Sequence, residues 1–175
     1  KSFNELIGMV KNKAKLLAAI PAIQPISNKK LSRIASGFGY RIDPIYKTRK
    51  AHEGLDFAAP IGTPVMASGA GTVEYSGWKG GYGKFISIRH SAVYQTNYAH
   101  LQDYAKGIRR GAKVQQGQVI GYLGSTGSST GPHLHYEVYK GGKPINPINF
   151  FFNDLTPAEY VTMLEVASRE NQSLD

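Results

Sequence analysis

The chain has 175 residues, no cysteine, five histidines and a formal net charge of +9. That length suits one domain able to bury its own core, and the lack of cysteine excludes disulfides, thiolate metal sites and a cysteine nucleophile. With 41% hydrophobic and 19% charged residues the chain is globular rather than disordered. No apolar run approaches the roughly 18 residues of a membrane helix, and no signal-peptide pattern is present. The positive charge points to an anionic partner: nucleic acid, a membrane surface or an acidic polymer. It is unevenly spread, since residues 1–50 carry eleven of the 21 lysines and arginines.

Residues 1–31 are expected to form a helix followed by a proline-containing linker. The spacing of Leu6, Ile7, Val10, Ala14 and Leu17 predicts a helix over about Asn4–Ala19. Ser2 and Glu5 are placed to form its capping box, and Pro21 and Pro25 end it. The chain begins at Lys1 rather than Met. The expectation is therefore a trimmed fragment whose missing N-terminal part carries a membrane anchor or coiled coil, with this helix limiting access to the domain that follows.

Residues 32–150 change in texture. Short β-prone runs, Gly71–Tyr75, Phe85–Arg89, Tyr94–His100, Val119–Leu123 and His133–Tyr139, are separated by glycine-rich turn signals such as Gly80-Gly81 and Gly141-Gly142. The fold class expected is mainly β, a compact antiparallel sheet or sandwich with flanking N- and C-terminal helices. Residues 151–175 are read as the second helix, packing on the domain. Thr156, Pro157 and Glu159 give its N-cap, first-turn proline and capping-box acid.

Two motifs carry chemistry: His52-Glu53-Gly54-Leu55-Asp56 and His133-Leu134-His135. In a strand, residues i and i+2 share a face, so His133 and His135 are expected to point into one site. His52 and Asp56, four apart, share a face in a helix or a strand, and Gly54 favours a turn or an extended approach. Two imidazoles and a carboxylate are a common catalytic zinc set with a fourth position left for water. The candidates are His52, Asp56 and one of His133 and His135. The zincin pattern H-E-x-x-H fails here, because Asp56 stands where its second histidine belongs. His90 is read as a hydrogen-bonded core or surface residue.

The ordered series Ser36-Gly37-Phe38-Gly39-Tyr40-Arg41, His52 to Phe57, Gly62-Thr63-Pro64-Val65, Tyr98-Ala99-His100-Leu101, Gly121 to Gly127 and Gly131 to Glu137 resembles the lysostaphin-type zinc endopeptidases, also called LytM-domain peptidoglycan hydrolases. The resemblance spans about residues 32–150. It implies one zinc ion held by His52, Asp56 and His135, with His100 and His133 acting on the proton and the oxyanion, and Tyr46 near the oxyanion. It also implies a bacterial cell-envelope location, periplasmic or extracellular, and cross-link peptides of peptidoglycan as substrate, with direct cross-links favoured over glycine bridges. Arg41 and Lys84 are read either as a solvated face or as contacts for wall carboxylates. No nucleic-acid-binding signature is present, so the charge is redirected toward an anionic wall. The competing reading is a non-catalytic binding or amidase-activating module, which the complete ligand set disfavours.

Overall fold

The computed structural model describes residues 2–42 and 46–151. One helix, α1 (Phe3–Ala18), precedes twelve strands: β1 (Arg33–Ser36), β2 (Gly39–Ile42), β3 (Arg49–His52), β4 (Leu55–Ala58), β5 (Pro64–Met66), β6 (Gly71–Trp78), β7 (Lys84–Arg89), β8 (Tyr94–Tyr104), β9 (Lys113–Val114), β10 (Val119–Leu123), β11 (Leu134–Lys140) and β12 (Lys143–Ile145). The predicted C-terminal helix lies outside the described residues. Ser2 and Glu5 close the capping box on α1 as expected. The helix buries none of its residues, and its apolar positions Leu6 and Val10 are 48% and 68% exposed. The proline-containing segment behind it is packed into the body instead: Ala22, Gln24 and Ile26 are fully buried, and Met66 N–H donates to the Pro25 carbonyl at 2.8 Å.

Ten strands form one antiparallel sheet with the central path β1-β4-β11-β8-β7-β6-β9, while β10 bridges β5 and β8, and β12 pairs with β11. The ribbon β2–β3 stands apart from it. The mainly β fold read from the glycine-punctuated runs is the fold observed, as a single continuous sheet.

Alternation divides the central strands into two faces. Leu55 and Phe57 of β4, Leu134, Tyr136 and Val138 of β11, and Tyr98 of β8 point into the apolar core. Phe57 and Tyr136 meet edge-on with centroids 6.2 Å apart. The intervening residues Asp56, His135 and Glu137 lie on the opposite face and are also buried. The cross-strand register aligns them: Asp56 is opposite His135, His135 is opposite Ala99, and Glu137 is opposite Asn97. A polar row thus crosses three strands directly behind the core.

Gly54 lets β3 pass into β4 against this row. A Cβ there would sit 2.3 Å from the Tyr136 carbonyl oxygen, a backbone atom that cannot rotate away. His90 is the hydrogen-bonded fold residue expected of it. Its Nδ1 is 2.8 Å from the Ala70 carbonyl and its Nε2 2.7 Å from Thr96 Oγ1, tying the start of β8 to the loop before β6. Burial pushes the His90 imidazole below its ordinary pKa of 6.5, with nearby Arg89 adding to this and the Ala70 carbonyl opposing it.

Gly54→Ala should destabilise the domain by about 1–3 kcal/mol, read as a lower urea midpoint, and an unchanged midpoint would contradict the close approach. For His90, the unfolded chain takes up a proton below pH 6.5 that the folded chain resists, so stability falls as pH drops through that value. Urea titrations from pH 7.5 to 5.5 should show this extra loss in the wild type relative to His90→Gln, at no more than about 1.4 kcal/mol per pH unit. Identical pH dependence in the two proteins would contradict it.

Candidate metal centre

Three side chains from three strands converge. Asp56 and His135 face each other across β4 and β11, and the Gly54 bend carries His52, the last residue of β3, over the pair. His135 Nδ1 is 2.8 Å and His52 Nε2 3.1 Å from Asp56 Oδ1, and the two nitrogens are 3.2 Å apart. His52, Asp56 and His135 are 3%, 0% and 5% exposed. His52 and Asp56 lie on separate strands and meet across the bend at Gly54, one of the two conformations the sequence favours there.

The outer ring nitrogens explain the orientation. His52 Nδ1–H donates to the Gly37 carbonyl at 2.6 Å, and His135 Nε2–H donates to Glu137 Oε1 at 2.9 Å. With each outer nitrogen carrying its proton, each inner nitrogen presents a lone pair. Two lone pairs and a carboxylate oxygen at mutual distances near 3 Å repel unless a proton or cation lies among them. Tetrahedral zinc with ligands at about 2.0–2.2 Å needs ligand atoms roughly 3.3 Å apart, close to the spacing seen. Asp56 Oδ2 is buried with no hydrogen-bond partner, 3.5 Å from Arg41 Nη1. Burial alone would raise the Asp56 pKa. When protons rather than a metal occupy the inner nitrogens, hydrogen bonds from His135 and His52, and their charge, outweigh burial and hold it well below the usual carboxylate range. The donor set fits a divalent metal, and the three residues are the candidate metal cluster among the described residues.

His100 and His133 form a second pair beside it, with ring centroids 4.7 Å apart and the His100 ring 6.2 Å from that of His135. Each donates Nδ1–H to a backbone carbonyl, Thr126 at 2.7 Å and Gly131 at 2.8 Å. That leaves Nε2 as the basic nitrogen of each ring. His133 immediately precedes β11, in an isolated bridge with Gly124, and its ring and that of His135 both approach the His100 ring. His100 has a left-handed backbone, φ +61°, where the β7–β8 register slips by one residue. Such a bulge re-aims a side chain, and the cost of a left-handed non-glycine residue is typical of functional sites.

A groove of about 300 Å³ opens onto these groups, with His52, His100, His135, Arg41, Tyr82 and Glu137 among its lining. Glu53 is at its rim, near Tyr139, and contributes no atom to the cluster. Tyr46 is 76% exposed and is not part of the lining. Lys84 donates to the Gln102 carbonyl, outside it. Glu137, Asn97 and Tyr82 were not singled out from sequence. The alternation His133, His135, Glu137 carried a signal for the first; nothing in the spacing marked the other two.

The model of peptidase family M23 matches residues 50–147, more than half of the chain. A DD-carboxypeptidase/endopeptidase, Mpg, of Neisseria meningitidis is 50% identical over 118 residues, 67% of this chain and 27% of that protein. The peptidoglycan DD-endopeptidase ShyC of Vibrio cholerae is 47% identical over 116 residues, covering 66% and 26%. The chain thus spans about a quarter of the length of these relatives. Among solved structures, a zinc-containing peptidase from Vibrio cholerae superposes with a TM-score of 0.66 at 37% identity, covering 71% of this chain and 38% of that one. The catalytic domain of lysostaphin from Staphylococcus simulans does so at 0.59 and 35% identity, covering 67% and 92%. The sheet, the metal-ready cluster and these likenesses agree: the chain belongs to peptidase family M23.

Proposed function

We propose that this chain is the catalytic domain of a zinc endopeptidase that hydrolyses peptide cross-links of bacterial peptidoglycan in the cell envelope. The observation that carries this reading is the convergence of His52 Nε2, Asp56 Oδ1 and His135 Nδ1 within 3.2 Å of one another at the floor of a groove. These atoms would hold the metal. Bound there, zinc supplies Lewis acidity and a water acidic enough to ionise near pH 7. The family membership and the zinc-containing relative support that choice of ion.

His100 and His133 then carry the proton work. Their Nδ1–H groups are fixed on backbone carbonyls, so Nε2 can accept a proton from the attacking water and return it to the leaving amine. His100 lines the groove and is the better placed to meet substrate, with the fully buried His133 ring tilted against it. The same N–H capacity, once Nε2 is protonated, stabilises the oxyanion. Tyr46, at the surface, takes no part in this assignment. The relatives named DD-endopeptidase favour direct cross-links over glycine bridges as the bond cut.

The purified chain loaded with zinc should release muropeptides from sacculi of a directly cross-linked wall, and chelation should stop it. His52→Ala and His135→Ala should each fall below about 1% of wild-type activity because the metal-activated water is lost. Full activity in either variant would sink the assignment, and a wild type that takes up no zinc from a replete solution would favour the non-catalytic module. His100→Ala and His133→Ala should lower turnover by about 10²–10⁴ while zinc content, measured by atomic absorption, stays near stoichiometric. Turnover unchanged in both variants would remove them from the mechanism.

A further inference from the structure

Glu137 is buried to 1% exposure on the polar face of the sheet. A carboxylate in such a place is costly unless its lone pairs are used. Here they are. Oε1 accepts from His135 Nε2–H at 2.9 Å and from the Tyr82 hydroxyl at 2.9 Å, and Oε2 accepts from Asn97 Nδ2 at 2.8 Å. The donors come from different elements. Asn97 is the cross-strand partner of Glu137 on β8, and Tyr82 ends the short turn Gly80–Tyr82 between β6 and β7. Tyr82 is itself fixed, its ring 5.2 Å from that of Phe85 and 5.9 Å from that of His135. Three elements therefore aim one carboxylate at one nitrogen of His135.

We infer that Glu137 is a positioning residue for the metal centre, held in aim by Asn97 and Tyr82. The inference rests on the zinc reading of His52, Asp56 and His135. Two effects follow from the geometry. The bond from Nε2–H fixes the tautomer that leaves a lone pair on Nδ1, the nitrogen beside Asp56 and His52. It also fixes the ring's rotation: turned by half about Cβ–Cγ, the imidazole would present carbon to the metal and carbon to Glu137. An apolar residue would fill this sheet position without the cost of a buried charge, but it would take away the carboxylate to which His135 Nε2–H donates.

The test is zinc affinity, measured by competition with a chromophoric chelator, alongside the melting curve of the metal-free protein. Glu137→Ala should bind zinc about 10–100-fold more weakly than wild type. Glu137→Gln keeps an acceptor for His135 but turns a donor toward Asn97, and should fall between the two. Tyr82→Phe removes one hydroxyl and should weaken binding a few-fold with an unchanged melting curve. That order, with metal-free melting of the Gln and Phe variants near wild type, supports positioning, and holds even if the Ala variant fails to fold. Affinities of the Gln and Phe variants equal to wild type, with wild type binding tightly, would overturn this inference alone. A wild type without tight zinc binding would overturn the metal reading and this inference together.

Discussion

Asp56 and His135 are backbone partners on neighbouring antiparallel strands, and most of the site is built on that pairing. Opposed side chains on one face of a sheet lie about 4.5–5.5 Å apart at Cβ, so carboxylate and imidazole meet without a loop having to deliver either. The hydrogen-bond ladder that stabilises the fold thus also sets the separation of two candidate ligands. A slip of one residue by either strand would turn its own ligand into the core and bring Phe57 or Leu134 to the groove. The apolar alternation of Leu55, Phe57, Leu134, Tyr136 and Val138 makes that slip prohibitive. The core therefore enforces the site.

The third residue needs a different device. His52 lies on the β2–β3 ribbon rather than the main sheet, and Gly54 allows the chain to turn tightly against the backbone of Tyr136. What results is an electrostatic problem: three inward acceptor atoms near 3 Å spacing, in a place from which water is largely excluded. Outer-nitrogen bonds to Gly37 and Glu137 prevent the imidazoles from turning their N–H groups inward to relieve it. A divalent cation relieves it directly. The neighbouring His100 and His133, anchored on Thr126 and Gly131, show the same outer-nitrogen device, used there to prepare basic nitrogens rather than ligands.

Much of this was legible in the sequence, for identifiable reasons. The strands Val119–Leu123, Phe85–Arg89 and Tyr94–His100 were read within a few residues because alternation and glycine punctuation are local. The helix cap at Ser2 and Glu5 is equally local. The four site histidines stood out because histidine is rare here, and the ordered motifs gave the family. What stayed hidden is what depends on pairing. The bulge that re-aims His100 and the convergence of Asn97 and Tyr82 on Glu137 arise from registers between distant strands. Residue spacing along one strand does not encode them. The buried proline-containing segment was missed for a similar reason, since its partners Met66 and Ser68 lie far along the chain.

Everything above turns on which atoms meet the metal. Crystals of the zinc-loaded protein, with anomalous diffraction recorded on both sides of the zinc edge, address it directly. One zinc site per chain is expected, with ligand distances of about 2.0–2.2 Å to His52 Nε2, an Asp56 carboxylate oxygen and His135 Nδ1. An anomalous peak elsewhere in the chain, or one coordinated by His135 Nε2 or by His133 in place of His135, would contradict it.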